Sequence, residues 1–229
     1  MSNTYNSLIV NNSIKEFQTG NKTKAYNSLT DYIINNPKDY KAIYNYALMA
    51  EQIGKIEIAI KSYTKVNKKE KDNWRSRFNL YLIFIHQKHY QKALILINDV
   101  LKIKPNFQPA LRDKALVYYY QNKPDIGKKF VEESINLNNK DYIAFNVLGL
   151  ILGSLKLHLD AKEIFKKAIK INPNYFASFN NLGNCLYELK DQSKALENFK
   201  KAIELKPDFQ EAINNIANIY SVTGRYNDA

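Results

Sequence analysis

"FNNLGNCLYELKDQSKALENFKKAIELKP", residues Phe179–Pro207, carries two apolar patterns, one on each side of Lys190-Asp191. Before that pair, Phe179, Leu182, Gly183 and Leu186 stand at i, i+3, i+4 and i+7, one face of an α-helix. After it, Ala195, Phe199, Ala202 and Ile203 follow a similar spacing on a second helix. Gly183 and Ala195 are small where two helices must cross closely, and Phe179 and Phe199 are large beside them. Pro207 ends the second helix, because proline lacks an N–H and clashes with the preceding turn. The stretch "FNVLGLILGSLKLHLDAKEIFKKAIKINP", Phe145–Pro173, repeats the arrangement 34 residues upstream.

A fixed period decides the architecture of such a chain. The alanine of the second helix recurs as Ala25, Ala59, Ala93, Gly127, Ala161, Ala195 and Ala229, always Ala or Gly. The closing proline recurs as Pro37, Pro105, Pro173 and Pro207, with Lys71 and Asn139 at the two remaining places. No insertion is needed from Asn6 onward. The repeats are 6–39, 40–73, 74–107, 108–141, 142–175 and 176–209, and a seventh, 210–229, stops at its twentieth residue. One helix pair cannot bury its apolar face, whereas stacked pairs can, so the expected product is a single solenoid.

Aromatic, Leu-Gly, aromatic, Ala, aromatic, Ala and Pro at these offsets resemble the tetratricopeptide repeat. The two quoted stretches follow that pattern most closely. The earlier repeats drift, with Tyr81 at the small site, Lys114 at the leucine before it and Tyr32 at the late alanine. The resemblance implies an all-α, right-handed α-solenoid, a superhelix of stacked antiparallel helix pairs. It also implies a concave groove, lined by the first helices, that holds peptides.

Composition narrows the function. The formal net charge of +12 is compatible with nucleic acid or an acidic partner. However, the basic residues, among them "KVNKKEKD" and the pairs Lys166-Lys167 and Lys200-Lys201, are spread along second helices and turns rather than gathered in one stripe. A solvated outer face is the reading favoured over nucleic acid. The chain has no apolar run long enough to span a membrane and no secretory leader, so a cytoplasmic location is expected. Its single cysteine, Cys185, fits a reducing compartment and a packed, inert thiol.

No constellation for chemistry is present. His86, His89 and His158 lack the further ligands of a metal site, and Gly149 and Gly183 are packing glycines rather than a phosphate loop. Neither Glu51 nor Glu132-Glu133 has a carboxylate partner at a defined spacing. No enzyme, cofactor or metal is expected.

Function must then sit where packing does not. With the core at positions 4, 7, 8 and 11 of each first helix, positions 2, 5, 6, 9, 12 and 13 fall on the opposite side. Position 6 reads Asn11, Asn45, Asn79, Asp113, Val147, Asn181 and Asn215. Helix propensity does not explain so many asparagines. The series is similar to the asparagine ladder in the repeats of O-linked N-acetylglucosamine transferases, where amides are expected to hold a peptide backbone. Packing between helices is the competing explanation. An amide both donates and accepts, and packed helices ~8–10 Å apart would place one Asn at about every third residue of an extended peptide. Tyr44 and Phe78 at position 5 share the face, as do Leu48, Leu82, Leu116 and Leu150 at position 9, either as packing or as a groove floor. Lys41, Arg75 and Arg112 add positive charge, which suits a ligand of acidic character. The family's carboxylate clamp is a poorer match, because no repeat has Arg at position 6.

The expectation is therefore a protein-interaction module, a scaffold or adaptor, that binds an extended peptide segment in its concave groove. Two rivals are a substrate-recruiting region of a larger enzyme such as a glycosyltransferase, which an end inside a helix at Ala229 favours, and a self-associating scaffold.

Overall fold

The computed structural model describes residues 2–222, with side chains from Leu8 onward, so the repeat alanine expected at Ala229 lies outside the described residues. These residues form thirteen α-helices and no strand. The chain divides into two compact units, Met1–Pro105 and Asn106–Ala229. The first holds α1 (Ser2–Gln18), α2 (Lys22–Asn35), α3 (Tyr40–Gln52), α4 (Ile56–Lys69), α5 (Trp74–His86) and α6 (Tyr90–Ile103). The second holds α7 (Gln108–Tyr120), α8 (Pro124–Leu137), α9 (Tyr142–Ser154), α10 (His158–Ile171), α11 (Phe176–Glu188), α12 (Gln192–Leu205) and α13 (Gln210–Val222). Within each unit every helix packs on the next, and in the second unit α7, α9, α11 and α13 also touch in succession. The architecture is all-α, helices packed in sequential pairs.

Two kinds of turn enforce the period. Inside each pair, position 15 takes the left-handed conformation: Gly20, Gly54, Lys88, Asn122, Lys156 and Lys190 all have φ between 57° and 101°. The next N–H reaches back to the carbonyl of position 11, as in Asp191 to Leu186 at 2.9 Å and Lys55 to Ala50 at 2.8 Å. This is the Schellman ending of a helix. Between pairs, a side chain often caps the next helix. Asp39 accepts from the Ala42 N–H at 2.9 Å and Asn73 from Ser76 at 3.0 Å, and Asp141 accepts from both Ile143 and Ala144. Asn73 and Asp141 close the two repeats without the proline, and a cap fixes the next helix start there.

The helix pairs interlock by size. Position 8 holds Ser13, Ala47, Tyr81, Ala115, Gly149 and Gly183, and position 24 holds Leu29, Tyr63, Ile97, Val131, Phe165 and Phe199; all twelve are buried. The Phe165 ring fills the space that a side chain would need at Gly149, and Phe199 does the same at Gly183. The buried stripe is wider than expected from sequence. Position 3 (Ala42, Ser76, Ala110, Ala144, Ser178, Ala212) and position 10 (Met49, Ile83, Val117, Ile151, Cys185, Ile219) are buried from the second repeat onward, whereas Leu8 and Lys15 of the first are exposed. A first helix meets its own partner and a neighbouring pair, so two adjoining faces are covered.

Candidate functional site

In the first unit, Asn11 is exposed, and Asn45 donates to the Lys41 carbonyl of its own helix at 2.9 Å. Asn79 reaches further: its Nδ2 donates to the Tyr44 hydroxyl at 3.2 Å and the Tyr63 hydroxyl at 3.3 Å. Tyr63 in turn donates to Glu51 Oε2 at 2.8 Å. Burial first, and the Glu51 charge second, push the Tyr63 hydroxyl far above its usual pKa, so it remains a donor. Phe78 is half-buried and stacks on Tyr81 with ring centroids 5.6 Å apart. Lys41 and Arg75 are exposed, and the Arg75 guanidinium lies 4.7 Å over the Trp74 ring.

In the second unit, Arg112 and Asp113 meet each other. Arg112 Nε donates to Asp113 Oδ1 at 2.8 Å, and Nη1 donates to Asp141 Oδ2 at 3.0 Å. Burial disfavours the arginine's charge, but the two carboxylates outweigh it and raise its pKa. Burial raises Asp113 as well, only partly offset by Arg112. Arg112 is thus neutralised within the chain, not held out for a ligand. Val147 is 2% exposed and belongs to the core.

The remaining asparagines obey one rule. The position-6 amide donates to the position-5 side chain of the preceding repeat, 35 residues earlier: Asn79 to Tyr44, Asn181 to Asn146 at 3.0 Å, and Asn215 to Asn180 at 3.0 Å. Asn215 also donates to Asn184 Oδ1 at 3.0 Å, and Ser178 donates to Asn146 Oδ1 at 3.1 Å. The donors of this ladder therefore tie neighbouring repeats together, while Oδ1 of Asn181 and of Asn215 accepts no hydrogen bond from the described residues. Asn146, Asn180 and Asn184 escaped the sequence reading. The doublets Asn180-Asn181 and Asn214-Asn215, 34 residues apart, were the signal that could have found Asn180.

Beside these amides lies a cavity of about 270 Å³, lined by Tyr119, Leu150, Asn181, Asn184, Tyr187 and Glu188 among others. Cys185 also borders it, but its Sγ donates to the His158 carbonyl at 3.0 Å, and burial raises the thiol pKa. Among the described residues no three His, Cys, Asp or Glu side chains are grouped to hold a metal ion. Nor is any described helix long and apolar enough to cross a membrane.

The sequence model of the tetratricopeptide repeat family matches residues 142–175 and 176–209. None of the curated proteins compared matches the chain significantly. Among solved structures, a tetratricopeptide repeat protein from Parabacteroides merdae superposes with a TM-score of 0.85 at 17% identity, covering 95% of this chain and 86% of that one. PilF of Pseudomonas aeruginosa superposes with a TM-score of 0.74 at 17% identity, covering 94% and 98%. YrrB, a tetratricopeptide repeat protein with an unusual peptide-binding site, gives 0.61 at 20% identity, covering 81% and 96%. The fold is thus a solenoid of the tetratricopeptide type.

Proposed function

We propose that this chain is a protein-interaction module that holds an extended peptide segment against its first helices. The observation that carries the reading is the amide face of the second unit. The donors of Asn181 and Asn215 are fixed by neighbouring side chains, which orients their acceptor oxygens without cost at binding. An extended peptide offers one N–H per residue, and such preorganised acceptors suit it. The adjoining cavity takes a side chain of that segment, bounded by the apolar Leu150 and the rings of Tyr119 and Tyr187. The fold of tetratricopeptide proteins, which serve as interaction modules, and the peptide site of YrrB support the same reading.

The test is a panel of extended peptides presented to the intact chain and to Asn181→Ala/Asn215→Ala. The paired change should weaken the best binder about 10-fold, as expected for two hydrogen bonds of ~0.5–1.5 kcal/mol each. Circular dichroism must show unchanged helix content. Equal binding by the two proteins overturns the proposal.

A further inference from the structure

The first unit has a cleft of about 820 Å³ that the amide face does not use. It is built on the turn from α4 into α5, with Lys69, Lys71, Trp74 and Arg75 on that turn and Lys41 from α3 opposite. Four cations therefore meet two acids, Glu70 and Asp72. Glu70 is already engaged, since its Oε2 accepts from Asn73 Nδ2 at 2.7 Å. Among the described residues, no ion pair includes Lys41, Lys69, Lys71 or Arg75.

This differs from the basic residues elsewhere. On the second helices, lysines lie across acids one turn away: Lys102 on Asp99, Lys128 on Glu132, Lys166 on Glu163 and Lys201 on Glu204. Those are solvated faces in local balance. In the cleft the excess charge is concentrated, and one part of it is held in place. Arg75 sits 4.7 Å and Lys104 4.5 Å from the centroid of the Trp74 ring. A cation over an aromatic face is attracted by the ring quadrupole. A guanidinium lying over a ring keeps its N–H edges for a carboxylate, which it can grip with two parallel bonds.

We propose that this cleft seats a carboxylate-rich segment of a protein partner. The inference rests on the reading of the chain as a peptide-binding module and names the chemistry of the peptide. Nucleic acid fits the cleft less well: two cations already lie over the Trp74 ring, so it is not a bare platform on which a base can stack. Tyr44 joins the cleft to the ladder, because it lines the one and accepts from Asn79 of the other.

The experiment uses the intact chain and fluorescence anisotropy. Three labelled probes are compared: a Glu-Gly peptide of about 12 residues, long enough to span the unit when extended, its Gln-Gly counterpart, and a single-stranded oligo(dT). Lys69→Gln/Lys71→Gln/Arg75→Gln removes three of the cleft's four cations, all at exposed positions. Lys167→Gln/Lys170→Gln/Lys200→Gln removes the same charge from exposed sites on second helices. The Glu peptide should bind most tightly and lose about 10-fold or more in the cleft variant, and much less in the second-helix variant. Equal losses in both variants mean a diffuse field and overturn the inference, as does an oligonucleotide that binds more tightly and depends on the same three residues. If Asn181→Ala/Asn215→Ala weakens peptide binding while the cleft variant does not, the inference falls and the module reading stands. If no peptide binds at all, both fall.

Discussion

Replacing Gly183 by Ala tests how the helix pairs interlock. A Cβ at Gly183 would lie 2.5 Å from Phe199 Cε1, 2.7 Å from Cδ1 and 3.0 Å from Cζ. Carbon atoms in contact prefer about 3.5–4.0 Å, so the ring must retreat by roughly an ångström. Phe199 is only 1% exposed and has no open direction to take. Overpacking of this kind costs about 1–3 kcal/mol. With a urea dependence of about 1–3 kcal/mol per molar, the unfolding midpoint should fall by roughly 1 M. Phe199→Leu alone leaves a void and costs less than the ~3–5 kcal/mol of full truncation. In the double variant the new methyl occupies part of that void, so the pair should be more stable than the sum of its parts by about 1 kcal/mol. Gly153→Ala is the control. Nothing lies within 4 Å of its Cβ position, so it should stabilise α9 by about 0.5–1 kcal/mol. Urea titrations followed by circular dichroism read all four variants. An unmoved midpoint for Gly183→Ala, or strict additivity with Phe199→Leu, would show that the two residues do not interlock.

Three further outcomes are expected. Lys156→Gly and Lys190→Gly should each raise the melting temperature, since φ values of 64° and 65° strain a residue with a Cβ by about 1 kcal/mol or more; no gain in either would refute the turn assignment. Burial lifts the Asp113 pKa, so the native state holds more protons than the unfolded chain between the two values, and stability falls as pH rises through that window. Urea midpoints measured as pH rises from the ordinary carboxylate range should show this contribution in the wild type and its loss in Asp113→Asn. Cys185 should react with a maleimide slowly in buffer and fully only in denaturant, because its thiol is buried and its pKa is raised; prompt stoichiometric labelling in buffer would contradict the burial.

The repeat was legible because it is local. Gly, Ala and aromatic residues recur at fixed offsets, and each helix pair is specified by residues fewer than 34 positions apart. What escaped notice depends on the neighbour. Ser76 and Ser178 at position 3 carry no apolar signal, yet both are buried and bonded, Ser76 Oγ to the Tyr63 carbonyl and Ser178 Oγ to Asn146. Arg77 stands at position 4, where the other repeats carry Ile, Leu or Phe. In the fold its guanidinium donates to the carbonyls of Asn67, Glu70 and Asn73, and so ties the end of α4 to the start of α5. Such a role is visible only when two elements are in place, because no periodicity marks it.

The asparagine series shows why its two explanations are not exclusive. A position-6 amide has donors and an acceptor. In Asn181 and Asn215 the donors serve the preceding repeat, and the acceptor takes no hydrogen bond from the described residues. The side chain is thus part of the packing, so removing it cannot leave stability untouched: Asn79→Ala would strip a partner from both Tyr44 and Tyr63. The fifth repeat makes the same point from the other side. Val147 breaks the series and is buried, but the amide reappears one residue earlier as Asn146, which accepts from both Ser178 and Asn181. A ladder kept only for a ligand would have no reason to move its amide into the interface between repeats. One kept only for packing would not need to leave the acceptors of the next two rungs unpaired. The arrangement is compatible with both demands, which is why a recurring polar residue at a half-buried position could not be assigned to either from its recurrence alone.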